Sequence, residues 1–499
     1  MSLREIIVRL CKSEDRSRTY KPLIDILPWW AVLILFIIAT ILFIIAILVG
    51  VFAGPAVLHF SSIEVDTNNH TVTAPYWGLV SDIKDMRSVF YGQEQIYVET
   101  PENYTALNQE ITFNCYLKSN VSIQTVQSSQ NAFGFQKLDL AFYLQLFGRN
   151  SYSEEWTRIV NGTYTRSLIC TEGSEKCVAI ALFYESHIRY TNYRIGLSFL
   201  NAKELYDNGL INSGYIGFEM ESYNYAYANW ELGWRYSMIC ITAPLTVAFI
   251  IANIVRSYFV NWTTEQKWIG LLLCFLTLYN NPIFALIFTG GNWAFSFINI
   301  IFIVSFLCVL MFTVLVFTHS LVVAQKDRSF LWFYLPKIVL VSILFVFVIT
   351  TFTYVRLQEQ EDPGYSLNIV QGLTSYQTLG IIVVLLMILY IFVLVYYLMR
   401  VIEKHRMNLL PKRNAWRSKV IWFLTTIMVI GTIVEIFLYV FSKDWNSAAQ
   451  FLSYFMFYSL YVWLFTILYW PSWVALQESE IIEETTTYEK EDDYFDDME

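Results

Sequence analysis

Eight long apolar runs, almost free of charge, dominate this 499-residue sequence. Each spans about 18 residues or more, the length that a helix needs to cross the hydrocarbon core of a bilayer. The runs cover residues 29–53, 237–255, 268–289, 294–318, 331–355, 376–399, 420–441 and 449–470. The sequence therefore predicts an α-helical polytopic membrane protein with eight transmembrane helices, and an even number places both termini on the same side.

The composition agrees with a membrane-embedded chain and excludes several other classes. Hydrophobic residues make up 56% and charged residues 15% of the sequence, whereas about a quarter of an average soluble chain is charged. No single soluble core could hide that much apolar surface. Glycine and proline are few and the net charge is -9, so the chain is not collagen-like, disordered or a nucleic-acid-binding protein.

Basic residues in the short loops predict the orientation of the helices. The N-terminal segment holds six lysines and arginines, the 400–419 loop holds seven, and the 256–267 and 319–330 loops hold two each. The opposite short loops hold only Arg356 and Lys443. Because positively charged loops remain in the cytosol, both termini are predicted to be cytosolic.

The first run, residues 29–53, is predicted to be an uncleaved signal anchor. It is longer than the apolar core of about 7–15 residues in a signal peptide, and a basic segment, residues 1–28, precedes it. A cleaved signal peptide is the alternative, since Val51-Phe52-Ala53 resembles a small-residue cleavage site.

Residues 54–235, between the first two helices, have the composition of a lumenal or extracellular domain. Four short runs rich in aromatic and β-branched residues follow one another, separated by polar turns. They are residues 111–117, 138–146, 177–183 and 193–199. This pattern predicts a small antiparallel β-sandwich.

Four Asn-x-Ser/Thr sequons in this domain predict a glycosylated surface, at Asn69, Asn103, Asn120 and Asn161. A fifth sequon, at Asn261, lies on a predicted cytosolic loop and is expected to stay unmodified. Clustering of four sequons in the segment that the loop charges place outside the cytosol supports the predicted topology.

Three of the seven cysteines, Cys115, Cys170 and Cys177, also fall in this oxidising compartment. Cys170 and Cys177 flank a turn between two strand-like runs, which favours a disulfide between them, although three cysteines allow three single pairings. The remaining cysteines are expected to be reduced because they lie in the cytosol or in helices: Cys11, Cys240, Cys274 and Cys308.

After the last helix, residues 471–499 carry eleven acidic residues and one lysine. Such a run is typical of a solvated, disordered tail. The alternative is that the tail binds cytosolic sorting machinery, because it contains a diacidic and a dileucine-like pattern. The residues of these patterns are Glu478, Glu480, Ile481 and Ile482.

Few charged groups lie inside the predicted helices, which disfavours a transporter or channel. Glu435 lies about one turn from the lumenal end of the seventh helix, and Lys337 is expected to snorkel to the cytosolic interface. The segment Tyr279-Asn280-Asn281-Pro282 lies within the third helix, where proline predicts a kink. We expect a packing kink, and a contact to a ligand cavity is the alternative.

The sequence contains no catalytic constellation, no metal-ligand spacing and no phosphate-binding loop. We therefore expect neither an enzyme nor a cofactor. A large outside domain tethered to a seven-helix bundle, residues 236–470, suits a receptor or a protein that travels with cargo.

The order of these parts resembles the transmembrane protein 181 family, which belongs to the Wntless-related group of seven-helix membrane proteins with a GOLD-like lumenal domain. The three lumenal cysteines and several short motifs carry the likeness, although Asn281 stands where that family is expected to have aspartate. The motifs are Gly54-Pro55, Tyr223-Asn224-Tyr225, Glu231 with Arg235, Glu265–Trp268, Leu278–Pro282, Phe333–Lys337, Asp362-Pro363, Asn446–Ala448 and Phe451–Ser453.

The resemblance implies a jelly-roll-like GOLD domain over a receptor-like bundle, with a cavity that can hold membrane lipid. It also implies an integral membrane protein of the Golgi, endosome and plasma membrane system. We predict a trafficking receptor that binds a lumenal or extracellular protein or lipid. The alternatives are a G-protein-coupled-receptor-like signalling or toxin-binding receptor and an ion channel or carrier.

Overall fold

The computed structural model of the chain is built from helices and antiparallel sheets. It describes residues 20–53, 57–66, 77–79, 91–99, 111–119, 135–149, 154–171, 180–185, 190, 192–200, 214–223, 225–289, 293–323, 328–361, 375–407, 412–441 and 448–475. The two ends of the helical bundle are called the cytosolic end and the lumenal end, after the orientation that the loop charges predict.

Nine α-helices are found in the described residues. They are α1 (Trp29–Ala53), α2 (Tyr225–Arg256), α3 (Thr264–Tyr279), α4 (Ala285–Thr289), α5 (Trp293–Ser320), α6 (Leu335–Glu361), α7 (Ser375–Arg406), α8 (Lys412–Phe441) and α9 (Ala448–Leu468). Within this described part, seven helices are long and apolar enough to cross a membrane, namely all except α3 and α4. This confirms a polytopic helical membrane protein, while the count of eight crossings stays a prediction.

The remaining predicted span, residues 268–289, is interrupted in the structure. Helix α3 begins with a capping box, in which Thr263 and Gln266 each bond the other's backbone N–H. It ends after 16 residues at Tyr279. Asn281 then adopts a left-handed backbone with φ of 54°, a conformation that asparagine tolerates better than most residues. The structure therefore interrupts the predicted span at Tyr279–Pro282, where a kink within one continuous helix was predicted.

The chain segments before α1 and after α9 meet at the cytosolic end. Strand β1 (Tyr20–Pro22) pairs antiparallel with the last strand, β11 (Pro471–Ala475). A single turn of 3-10 helix, Leu23–Asp25, follows β1 and leads into α1. The first and last helices are thereby joined by a backbone ladder that neither composition nor hydropathy predicted.

The region between α1 and α2 forms two antiparallel sheets. One has the order β2-β10-β5-β8 and the other the order β3-β4-β9-β6-β7. The bounds are β2 (Val57–Asp66), β3 (Trp77–Leu79), β4 (Tyr91–Glu99), β5 (Ile111–Ser119), β6 (Phe135–Arg149), β7 (Thr157–Thr171), β8 (Ile180–Glu185), β9 (Asn192–Phe199) and β10 (Gly214–Tyr223).

The four predicted strands coincide with β5, β6, β8 and β9. In β6, Phe142, Leu144 and Leu146 are fully buried while their neighbours are partly exposed. Period-two burial is what a sheet with one covered face requires. The β-rich character of this region is therefore confirmed, and its GOLD-like identity stays a prediction.

Candidate ligand cavity in the helix bundle

A cavity of 670 Å³ lies among helices α2, α5, α6, α7, α8 and α9. This volume falls within the range of about 300–1,000 Å³ typical of small-molecule sites. Aromatic, aliphatic and methionine side chains predominate in its lining, which is formed by Tyr227, Glu231, Val304, Leu307, Cys308, Leu310, Met311, Leu344, Val348, Met387, Tyr390, Ile391, Met428, Val429, Thr432, Ile433, Gln450, Phe451, Tyr454, Phe455 and Tyr458.

The lumenal end of the cavity is polar. Glu231 lies near the start of α2 and Gln450 near the start of α9. Both helices begin at the lumenal end, so these two side chains and that of Tyr227 lie in the lumenal part of the cavity. They give the cavity hydrogen-bonding groups at this end.

The deeper part of the cavity is apolar, because its few polar atoms bond within the protein. The Tyr390 hydroxyl donates to the Met311 carbonyl oxygen over 3.1 Å. The hydroxyls of Thr432 and Tyr458 share a hydrogen bond of 3.1 Å, and the Thr432 hydroxyl is also 2.8 Å from the Met428 carbonyl oxygen. At this depth, the surface that faces the cavity is therefore mainly hydrocarbon.

A buried ion pair supports the polar end. Arg235 Nε donates to Glu231 Oε1 over 2.8 Å, and the two side chains are 5% and 8% exposed. The guanidinium lies over the rings of Phe284, Phe451 and Phe455, with distances of 4.2, 5.0 and 4.4 Å to the ring centroids. Cation–π contacts of this kind are strongest when desolvated. Arg235 thus fixes both the carboxylate and two aromatic side chains of the cavity wall.

The interruption after α3 lies behind this wall. None of Tyr279–Pro282 is among the described lining residues, but the Tyr279 ring stacks on Phe455 at 4.4 Å. Asn281 Nδ2 donates to Asn299 Oδ1 over 2.9 Å, while its Oδ1 accepts from the Ile283 N–H. An aspartate at position 281 could not make the first bond, because a carboxylate only accepts. The segment packs against the cavity wall rather than forming its surface.

The cytosolic end of the bundle contains a second set of buried polar groups, and these bond to one another. Arg417 Nε donates to Asp25 Oδ1 over 2.6 Å, and its Nη2 bonds the other oxygen. Glu265 accepts from the Ser320 hydroxyl over 3.1 Å. Arg328 Nη2 donates to the Ser320 carbonyl oxygen over 2.6 Å.

The charges of this cluster act on Glu265, which precedes the predicted span 268–289. Burial raises the pKa of this carboxyl, but Arg328 and Arg417, together with hydrogen bonds from its own backbone and from Ser320, lower it by more. The net pKa lies below the ordinary glutamate value, so Glu265 is an anion that the arginines balance.

Lys337 does not snorkel to the interface, so that prediction was wrong. Its side chain is 2% exposed and turns inward, bonding the Phe333 carbonyl oxygen and lying 2.8 Å from His319 Nδ1. The ammonium also lies 3.9 Å from the Phe333 ring centroid. A local carbonyl, an imidazole and an aromatic face replace the headgroup contacts that snorkelling would have supplied.

Other predicted site residues are placed only in part. Asn161 is exposed on β7, whereas Asn69, Asn103 and Asn120 lie outside the described residues. The Cys170–Cys177 pairing and the tail residues Glu478–Ile482 also lie outside them. So does the side chain of Glu435, although its backbone belongs to α8.

Cys240, Cys274 and Cys308 are free thiols, as predicted. Cys308 on α5 lines the cavity and is buried among apolar neighbours. The thiols of Cys240 and Cys274 are exposed on the bundle.

The fold and cavity define a polytopic helical membrane protein with a β-rich region between its first two helices. The family model of the Wntless-like transmembrane domain matches residues 224–473, and the chain belongs to this family. It is also 28% identical over 330 residues to transmembrane protein 181 of Homo sapiens. That match covers 64% of this chain, and the chain spans 66% of the length of this relative.

The Glu231–Arg235 pair was not predicted to belong to a site, although both residues are part of the family resemblance. Hydropathy placed the start of the second span at residue 237, and the structure begins α2 at Tyr225. A glutamate four residues before an arginine, each directly after a tryptophan (Trp230 and Trp234), was an available signal for a helix with an amphipathic lumenal turn. The other lining residues carry no such signal.

Proposed function

We propose that this protein is a non-enzymatic membrane receptor of the secretory pathway or cell surface. In this proposal it binds a lipid, or a lipid-modified lumenal protein, through the helix cavity and the β-rich domain, and acts as a trafficking receptor. The observation that carries the proposal is the cavity itself, polar at one end and apolar beyond. Family membership supports the same interpretation.

The polarity of the cavity matches an amphiphile with one acyl chain and a polar end. The chain would lie among Leu307, Met387 and Met428, and the polar end beside Glu231 and Gln450. Arg235 Nη1 is buried and has no hydrogen-bond partner among the described residues. An ester or amide carbonyl near the Glu231–Arg235 pair would satisfy such a donor.

Hydrophobic free energy favours a lipidated lumenal protein over a free membrane lipid. A chain that moves from the bilayer into the cavity gains little, because lipid tails are as apolar as the lining. A chain attached to a lumenal protein gains about 0.8 kcal/mol for each CH₂ group that leaves water. A receptor with this cavity would therefore shield the acyl group of its cargo during transport.

The test is a matched pair of valine substitutions on α6. Val348 lines the cavity, whereas Val346 is 57% exposed on the outside of the bundle. The full chain and both variants would be purified in mild detergent, and co-purifying lipids and proteins identified by mass spectrometry. We expect Val348→Trp to lose a discrete amphiphile that Val346→Trp retains, because tryptophan fills the cavity.

Loss of the same ligand from both variants, or recovery of bulk phospholipid alone, would contradict the proposal. A variant lacking residues 476–499 tests the sorting part separately. We expect it to keep its ligand but to change its steady-state compartment, and an unchanged compartment would remove the role assigned to the acidic tail.

A further inference from the structure

A second apolar recess lies on the outside of the bundle, nearer its cytosolic end than the central cavity. It has a volume of 270 Å³ and is formed by α1, α8 and the end of α9. Its lining is hydrocarbon and aromatic, apart from one charged residue, Lys419. We name this recess the α1–α8 groove.

The groove lies at the depth of the cytosolic leaflet. Trp29 is at the first turn of α1 and Trp416 is near the start of α8, and both line it. The ring of Phe36 meets that of Phe423 edge-on, with centroids 5.2 Å apart. Each phenylalanine comes seven residues after its tryptophan, so the groove extends about 10 Å into the membrane, at about 1.5 Å per helical residue.

Contacts of Trp416 fix the outer end of the groove at the membrane surface. Its Nε1 donates to the Ile24 carbonyl oxygen over 3.1 Å, in the segment that precedes α1. Trp29 is 66% exposed. Tryptophans with one polar and one apolar edge concentrate at the headgroup level of membranes.

Lys419 gives this outer end a positive charge. Arg417, two residues earlier, is held by Asp25 and does not line the groove. Lys419 is exposed and is the only charged residue among the described lining residues. A lysine at the headgroup level, above an acyl-chain-sized recess, is complementary to a lipid phosphate.

We infer that the α1–α8 groove is a binding site for an anionic phospholipid of the cytosolic leaflet. The acyl chain lies along Leu33, Phe36 and Phe423, and the headgroup contacts Lys419. This lipid fills the space between the first helix and the bundle at the cytosolic end. The site is separate from the proposed cargo cavity, so either can fail without the other.

The test compares lipids retained by the intact full chain in native mass spectrometry. Protein would be purified in detergent containing equal amounts of phosphatidylserine and phosphatidylcholine. We expect the wild type to retain the anionic lipid preferentially, and Lys419→Glu to reduce that preference at least about fivefold, since loss of one lysine near an anionic membrane alone contributes about that factor. Lys419→Arg should keep it.

Two further variants make the result specific. Lys267 also lies near the cytosolic end but does not line the groove, so Lys267→Glu should keep the preference. Leu33→Trp adds bulk at a lining residue that is 46% exposed, and it should lower the number of retained lipids. Equal retention of both lipids by the wild type, or equal losses in Lys419→Glu and Lys267→Glu, would overturn the inference.

Discussion

At the lumenal end of the bundle, Glu231 and Gln450 border a 670 Å³ cavity, whereas at the cytosolic end Asp25 and Arg417 are packed directly against each other. Both ends bury charged side chains. At the lumenal end the Glu231–Arg235 ion pair supports the wall of the cavity. At the cytosolic end the Asp25–Arg417 ion pair joins the segment before α1 to α8. The difference supports the proposal that a ligand would enter the cavity from the lumenal end.

The closure at the cytosolic end depends on segments distant in sequence. Asp25 and Arg417 are 392 residues apart, and Leu23 N–H donates to the Trp470 carbonyl oxygen over 3.0 Å. The Gln266 side chain donates to the Tyr469 carbonyl oxygen over 3.2 Å. Through these hydrogen bonds, the segment before α1 contacts α8, and the segment after α9 contacts α3.

Breaking the Asp25–Arg417 ion pair should lower the stability of the folded protein by the largest amount. Asp25→Asn leaves the Arg417 guanidinium buried without an anion in bidentate contact, and removal of one partner of a buried pair costs about 3–5 kcal/mol. We expect a large fall in the thermal unfolding midpoint of the purified protein. The matched control is Glu403→Gln, because the Arg400–Glu403 pair is about half exposed at 3.5 Å and should contribute less than about 1 kcal/mol. Equal effects of the two changes would refute a structural role for the closure.

A smaller effect is expected where α1 packs on α9 at the lumenal end. A Cβ atom on Gly50 would lie 2.5 Å from the Ala449 Cα, so Gly50→Ala should force the helices apart and cost about 1–3 kcal/mol. Gly380 on α7 has nothing within 4 Å of the same atom. Gly380→Ala should leave the thermal midpoint unchanged or raise it slightly. Equal thermal midpoints for Gly50→Ala and Gly380→Ala would contradict the close packing of α1 against α9.

The smallest expected effect is a pH dependence at the cytosolic end. Because the pKa of Glu265 is lowered in the folded protein, its charge stabilises the fold above the ordinary glutamate pKa. That contribution is lost as the pH falls through the lowered value. The stability difference between wild type and Glu265→Gln should therefore shrink as the pH is lowered below the ordinary glutamate pKa of about 4.3. A difference that stays constant with pH would show that the Glu265 charge is not stabilising.

Hydropathy predicted the apolar helices, because each helix must bury enough apolar surface to cross a bilayer, whereas the orientation that the loop charges indicate stays a prediction. The strands β5, β6, β8 and β9 were also predictable, since period-two patterns are local. Residue patterns did not predict the cavity, which only the family resemblance implied, because its lining comes from six helices and sequence periodicity does not show which helices are neighbours. The Asp25–Arg417 pair was beyond prediction for the same reason, and Lys337 shows that a local rule can fail when an inward partner is available.

Whether the acyl chain of a cargo enters the cavity can be tested by photo-crosslinking with an acylated peptide that carries a diazirine near the end of its acyl chain. On α7, Met387 and Ile391 line the cavity, whereas Leu385 and Phe392 are 59% and 68% exposed on the outside. Peptide mapping should find adducts on Met387 or Ile391, and excess unlabelled fatty acid should remove those adducts alone. Adducts confined to Leu385 and Phe392 would show that no chain enters the cavity.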